Sequence, residues 1–430
     1  MQNNKYILIL GGYGHGNVGD EAILNESIKL MNNNFKDYKI IVLTPNIEYT
    51  KKTHNIENAD LAPREAFFNS KSPDTIYWIK NKKEEKLMIK KMRNIYILAL
   101  LKKYISIKIK NEKIEHLISL IKDADLVYYS GGGYLTGMTL SRLFDGCLFI
   151  SICKLFKVPV VLSGQTIGLF RNNFDKRISK KAFKYAKIIT LRDPEESPKA
   201  LESIGIKNYQ VMFDDALFCD KLENENDINY LLKNAGIKEK DFICFQMHFW
   251  GINSEEDKIK LLDKLKLCIK YIKNTFENIP ILLFPMVESD YKEEIEFLNF
   301  LKMQENIFLL KYDYDFRKIR AVISKSLFCI TMKHHPIIFA IGEKKPVISL
   351  AYSKYYNHKN EGALKIFGLE KYNINIEDKD FENIFTQRLN SINENYNFIT
   401  KELDDIFKIQ VKKKDDFVEK VKDLLKDIKF

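Results

Sequence analysis

Six cysteines occur in this 430-residue chain, yet no two stand as Cys-x-x-Cys. Cys147, Cys153, Cys219, Cys244, Cys268 and Cys329 lie mostly in apolar stretches. Reduced, buried thiols are expected there, and neither a disulfide framework nor a cysteine-based zinc site, so no metal site is expected. Apolar runs stop well short of the roughly 18 residues that a membrane span needs. The start, "MQNNKYILILGG", has a short apolar run that ends in glycines, unlike a signal peptide, so a cytoplasmic location is expected. The motifs G-x-x-x-x-G-K-[ST], G-x-S-x-G and H-E-x-x-H are absent. A P-loop, a serine-hydrolase elbow and a zincin helix are thereby excluded as motifs. There is no short-period repeat and no low-complexity tract.

What is present is a globular composition, 45% hydrophobic and 12% aromatic, in a chain long enough for two domains. Strand-like runs alternate with helical segments: "YILIL", "YKIIVLT", "ADLVYYSGGG", "VPVVLSGQTIG" and "IITLRD" in the first half. "FICFQMHFW", "IPILLFPM", "NIFLLKY", "LFCITMKHHP" and "KPVISLAY" follow in the second. Such alternation predicts parallel sheets with helices on both faces. The expected organisation is a Rossmann-like domain over 1–223, with a basic helical insertion near 76–120. A second Rossmann-like domain is expected over 224–385, the boundary set by the polar stretch from Asn224, and charged helices over 386–430. The expected architecture is α/β, two such domains facing a cleft, with ligand contacts just beyond the carboxyl ends of the strands.

The net charge of +11 is uneven. Lys80 to Lys110 holds eleven Lys or Arg against two Glu, around the apolar run "IYILALL". A solvated helix pair with one buried face accounts for it; the functional reading is a basic surface for anionic lipid or an acidic glycan. No nucleic-acid-binding motif accompanies the charge, so no nucleic acid partner is expected.

The stretch "GGYGHGNVGDEAIL" satisfies G-x-G-x-x-G at Gly14, Gly16 and Gly19. A dinucleotide site also needs an open helix N-terminus and an acid after the next strand. Asp20, a good N-cap residue, and Glu21 occupy the helix start, and "KIIVLT" ends in Thr44 and Pro45, so the match is expected to be incidental. Two further glycine loops, "SGGGYLTG" and "LSGQTIGLF", follow strands. Arg192 ends "IITLRD", where its planar fork suits a carboxylate or phosphate. Lys333, His334 and His335 cluster before Pro336, a residue suited to a first helical turn. Tyr352, Lys354, Tyr356, His358 and Lys359 add phosphate-compatible side chains after the next strand.

In order, "GGYGHGNVGDEAIL", "YSGGGYLTG", "SGQTIG", "ITLRDPEE", "FDDALF", "KHHPIIFAI" and "PVISLAY…HKNEGALKIFGL" resemble the polysaccharide pyruvyl transferases, over about residues 7 to 369. The resemblance implies a two-domain fold like the GT-B glycosyltransferases. It also implies transfer of a pyruvyl unit from phosphoenolpyruvate, a co-substrate rather than a cofactor, to two hydroxyls of a sugar in a cell-surface polysaccharide or its precursor. It assigns Arg192 and His335 as catalytic, and Lys333, His334, Lys354 or Lys359, and Arg192 to the donor. Tyr13, Gly14, Asn17, Asp20, Gly132, Gly133 and Gln165 fall to the acceptor or cleft loops. The implied partners are phosphoenolpyruvate and a sugar acceptor, free or lipid-linked, with peripheral membrane contact through Lys80 to Lys110 an option. Lys333 stands where the family usually has Arg, which removes a bidentate clamp. The loop "YSKYYNHKNEG" is longer than usual, which leaves Lys354 and Lys359 as alternatives. The competing readings are a GT-B-like glycosyltransferase using a nucleotide sugar and a catalytically silent glycan-binding relative.

Overall fold

The computed structural model describes residues 5–68, 79, 81–238, 241–252, 254–302 and 305–427, with the side chains of 354 and 355 left aside. The chain divides into two compact units. The first comprises Met1–His15, Ile23–Asp215 and Lys413–Phe430; the second comprises Gly16–Ala22 and Ala216–Lys412.

The first unit carries an eight-stranded parallel sheet: β1 Tyr6–Leu10, β2 Lys39–Thr44, β3 Ala59–Leu61, β4 Leu126–Tyr129, β5 Gly132–Thr136, β6 Val160–Gly168, β7 Ile188–Leu191 and β8 Gln210–Val211. Its order is β3-β2-β1-β4-β6-β7-β8, with β5 paired to β6 off this path. The second unit carries six strands: β9 Ile243–Gln246, β10 Ile281–Leu283, β11 Ile307–Leu309, β12 Cys329–Thr331, β13 Val347–Ala351 and β14 Asn373–Asn375, in the order β11-β10-β9-β12-β13-β14. The central strands are almost unbroken runs of Ile, Leu, Val and Phe because helices cover both sheet faces and leave no solvated side. Both sheets reverse direction once, at β1/β4 and at β9/β12. Ligands of doubly wound sheets bind beyond the carboxyl ends of the strands at such reversals.

Two expected glycine loops are strands. "GGYLT" is β5, and "SGQTIG" is the outer half of β6, whose register against β7 slips between Leu162 and Gln165. The helix Lys82–Ile105 lies in the basic stretch, Lys80 itself falling outside the described residues. Ile95 and Ala99 on it are buried in the core, while Tyr104 and Ile105 are 72% and 66% exposed. The chain ends in the helix Phe381–Asp427, interrupted at Asn395. Its last turns belong to the first unit, where Phe417 meets Tyr128 edge-on and Lys414 pairs with the buried Glu26. Among the described residues no helix is long and apolar enough to cross a membrane.

Candidate functional site

At the β9/β12 reversal the strand ends are tied together by one side chain. Gln246, the last residue of β9, accepts at Oε1 from Thr331 Oγ1 and from the Lys333 backbone N–H, both at 3.0 Å. That fixes the turn into the helix His334–Gly342, with Pro336 in its first turn as expected. Asn360 donates to the Met332 carbonyl (3.1 Å) and to Ser349 Oγ (3.0 Å), which pins the helix Ser353–Lys365, and with it Lys359, to the same turn.

Lys333 does not reach outward as a free clamp. Its ammonium sits 2.7 Å from both oxygens of Asp290, which also accepts from the backbone of Met286 (3.0 Å). His334 is buried and packs edge-on against the half-buried His335, ring centroids 5.2 Å apart.

The opening stretch belongs here by its residues 16 to 22. Val18 N–H donates to the Met286 carbonyl at 3.2 Å, and Tyr312 donates its hydroxyl proton to the Gly16 carbonyl. The helix Val18–Asn34 is capped by Asn17, whose Oδ1 accepts from the N–H groups of Gly19 (3.0 Å) and Asp20 (3.4 Å). This corrects the expectation for Asp20, which lies inside the first turn. The His335 imidazole lies directly on Gly19. A Cβ there would fall 1.8 Å from Nδ1 and 2.1 Å from Cγ, so only glycine leaves room for the ring.

The other expected residues sit in the first unit. Arg192, 3% exposed, is held by Asp214 through Nη1 and by Thr166 Oγ1 through Nε at 2.9 Å. A Cβ on Gly133 would lie 3.4 Å from its Nη2. Gly132 follows the turn at Ser130 and Gly131, and Gly14 (φ +85°) turns against Thr44 and Pro45. Tyr13 donates to the Ile9 carbonyl at 2.9 Å. Gln165 is fully buried and donates to the carbonyls of Tyr129, Ser130 and Ser163. Its amide nitrogen is thus spent on closing the β4 turn.

The polysaccharide pyruvyl transferase family model matches residues 17–354. The chain belongs to that family. No curated protein matches it. Among solved structures, a glycosyltransferase from Rickettsia africae ESF-5 is similar with TM-score 0.56 at 12% identity, over 100% of this chain and 99% of that one. The UDP-GlcNAc 2-epimerase from Methanocaldococcus jannaschii gives 0.55 at 13% identity, over 90% and 92%. The enzyme from Neisseria meningitidis bound to UDP-GlcNAc gives 0.54 at 12%, over 93% and 94%. These likenesses are of fold, and they place this pyruvyl transferase family member in the two-unit, Rossmann-like α/β class expected.

One residue of the second reversal escaped the sequence reading. His248, two residues beyond β9, is buried, with Nδ1 accepting from the Trp250 N–H at 3.0 Å and its ring 4.7 Å from that of Tyr356. Burial first, then the charges of Lys333 and Lys359, hold its pKa well below the ordinary imidazole value, against the pull of the Met332 carbonyl. The ring is therefore neutral, and with Nδ1 accepting its proton sits on Nε2. The available signal was position: His248 follows a strand end, as Lys333 does. The Lys354 side chain lies outside the described residues; the charge of Lys359 is felt at His248.

Proposed function

We propose that this protein transfers the pyruvyl unit of phosphoenolpyruvate onto two hydroxyls of one sugar and releases inorganic phosphate, leaving a cyclic ketal. The observation that carries the reading, beside the family match, is the cluster at the β9/β12 reversal. His335, Lys359 and the neutral His248 gather there at the carboxyl ends of the strands. The donor is a phosphorylated enol with a carboxylate, so it needs cations and hydrogen-bond donors. The first sugar hydroxyl adds at the enol carbon while the methylene takes a proton, and His335 supplies that proton as general acid. The second hydroxyl then displaces phosphate, with Lys359 stabilising the departing charge. Lys333 acts through Asp290, holding the turn that carries His335, more than as a direct clamp.

The test is incubation with phosphoenolpyruvate and a panel of sugar acceptors, followed by mass spectrometry for the ketal and an assay of phosphate. Phosphate release should fall by about 10²–10⁴-fold in His335→Ala. Tight binding of uridine diphosphate without any turnover of phosphoenolpyruvate would sink the reading in favour of a nucleotide-sugar enzyme.

A lipid-linked acceptor would bring the protein to a membrane surface, and the exposed Tyr104 and Ile105 at the end of the basic helix suit such a contact. Co-sedimentation with phosphatidylglycerol vesicles should then be strong at low salt and decline as salt is raised. Pelleting that ignores salt, or none at all, would reject this contact.

A further inference from the structure

Three rings stand in a row where the chain leaves β9: His248, Tyr356 and Trp250. The His248 ring lies 4.7 Å from that of Tyr356, and the Trp250 ring meets Tyr356 at 84°, centroids 5.5 Å apart. Burial falls along the row, from the buried His248 to Trp250, which is 48% exposed. We propose that Trp250 is a stacking platform for a pyranose ring of the acceptor. The proposal rests on the pyruvyl-transfer reading and gives that reaction an acceptor contact within the second unit.

A single exposed apolar side chain needs no explanation by itself. Trp250 is set apart by how its backbone is held. Phe249 N–H donates to Glu293 Oε2 at 2.7 Å, Trp250 N–H to His248 Nδ1 at 3.0 Å, and Ile252 N–H to the Phe249 carbonyl at 3.1 Å. Gly251 turns the chain at φ +90°, a conformation that suits glycine, and a Cβ there would meet no atom within 4 Å. The loop is therefore tied on its inner side and open on its outer side. An indole presented in this way has little freedom left to lose when a ligand arrives.

The chemistry of the ring selects the ligand. An aromatic face is the negative part of the ring quadrupole. Phosphate and carboxylate groups gain nothing from it, so Trp250 is no part of a site for the anionic donor. A pyranose offers a face of C–H groups, apolar and weakly positive at hydrogen, with its hydroxyls around the rim. That face suits an indole, and the rim hydroxyls keep their contacts with water. A nucleobase also stacks on aromatic side chains. Trp250 and Tyr356, however, stand 84° apart and form no parallel slot to grip a flat base. The place in the fold agrees with a sugar acceptor. Lys359 follows Tyr356 by three residues on the helix Ser353–Lys365, and its charge is felt at His248. The row thus starts beside the cation assigned to the departing phosphate and ends at the exposed indole.

The binding test uses the full chain without phosphoenolpyruvate, so its failure stays separate from failure of the transfer reading. The chain has two tryptophans, and Trp78→Phe leaves Trp250 as the sole indole emitter. Methyl glucoside, galactoside and mannoside are titrated against it, followed by fluorescence and by saturation-transfer NMR, with uridine as the flat-ring probe. At least one hexoside should change the Trp250 emission saturably. By NMR, Trp250→Ala and Trp250→Leu, which lack a flat face, should each weaken that hexoside about tenfold, and Trp250→Phe by no more than about threefold. In turnover Trp250→Ala should raise the KM for the acceptor about tenfold and leave the KM for phosphoenolpyruvate within about twofold, a split that general loss of structure would not give. No saturable hexoside signal up to about 50 mM, unchanged hexoside affinity in Trp250→Leu, or an emission change with uridine and none with any hexoside would each overturn the proposal. Thermal melting of each variant separates loss of the ring from loss of the fold.

Discussion

Alanine at Gly19 is expected to destabilise the wild-type protein and to stabilise the His335→Ala variant. Gly19 lies in the first turn of the helix Val18–Asn34, where alanine normally gains about 0.5–1 kcal/mol over glycine. Opposing that gain is the His335 ring, whose Nδ1 and Cγ stand 1.8 and 2.1 Å from the position of the new Cβ. Those atoms are close to the His335 backbone and have no flexible stem to swing away. Overpacking of this kind costs about 1–3 kcal/mol, so the clash outweighs the helix gain. Remove the ring and only the gain remains. Denaturant unfolding of the four proteins should therefore give a coupling of about 1–3 kcal/mol between the two sites; values that add to within about 0.5 kcal/mol would reject the contact. Activity offers a second reading. A general acid displaced by about an ångström loses about 10²-fold in turnover. Phosphate release should thus fall about 100-fold in Gly19→Ala, and fall no further when the substitution is placed on His335→Ala.

The glycine that matters in the opening stretch was visible as a letter but not in its purpose. G-x-G-x-x-G suggested a backbone that approaches a phosphate, whereas Gly19 makes room for a side chain more than 300 positions away in the sequence. Local patterns carry strand and helix existence well: "YILIL", "FICFQ" and "PVISLA" are strands because apolar β-prone runs between breakers have few other uses. They carry pairing poorly. Gly132 to Thr136 and Gly164 to Gly168 read as loops because glycine is a poor strand former, yet both extend beside each other as strands, and the slip near Gly164 absorbs the glycines. Lys333, His334, His335 and Lys359 were found because cations cluster after strands. His248 was missed because one histidine in "FICFQMHFW" looks like part of an ordinary apolar strand end; its significance comes from burial, which only the fold determines.

Arg192→Ala is expected to cost about 3–5 kcal/mol of stability, so its loss of activity cannot be read as catalysis alone. The guanidinium and its partner Asp214 are 3% and 1% exposed, and the pair lies at the carboxyl end of β7. Deleting the guanidinium takes the cation away from a carboxylate that water does not reach. It also removes the Nε–H that Thr166 Oγ1 accepts. The neighbouring Asp215 already reports the strain of charge there: burial, and then the Asp214 carboxylate, push it up to about 7. Without Arg192 the negative charge of Asp214 would act more strongly on Asp215, and the two acids should take up protons more readily. Arg192→Lys keeps the positive charge but gives up the planar fork that serves Asp214 and Thr166 together. It should therefore recover most of the stability, and, on the proposed reading in which Arg192 binds the donor, raise the KM for phosphoenolpyruvate. Thermal melting at pH 6 and pH 8 checks the electrostatic part: protonation relieves the stranded acids, so Arg192→Ala should be less impaired at the lower pH. An Arg192→Ala protein that melts with wild type at both pH values and is inactive would instead make this arginine a pure substrate-binding group, with Asp214 supported by other neighbours.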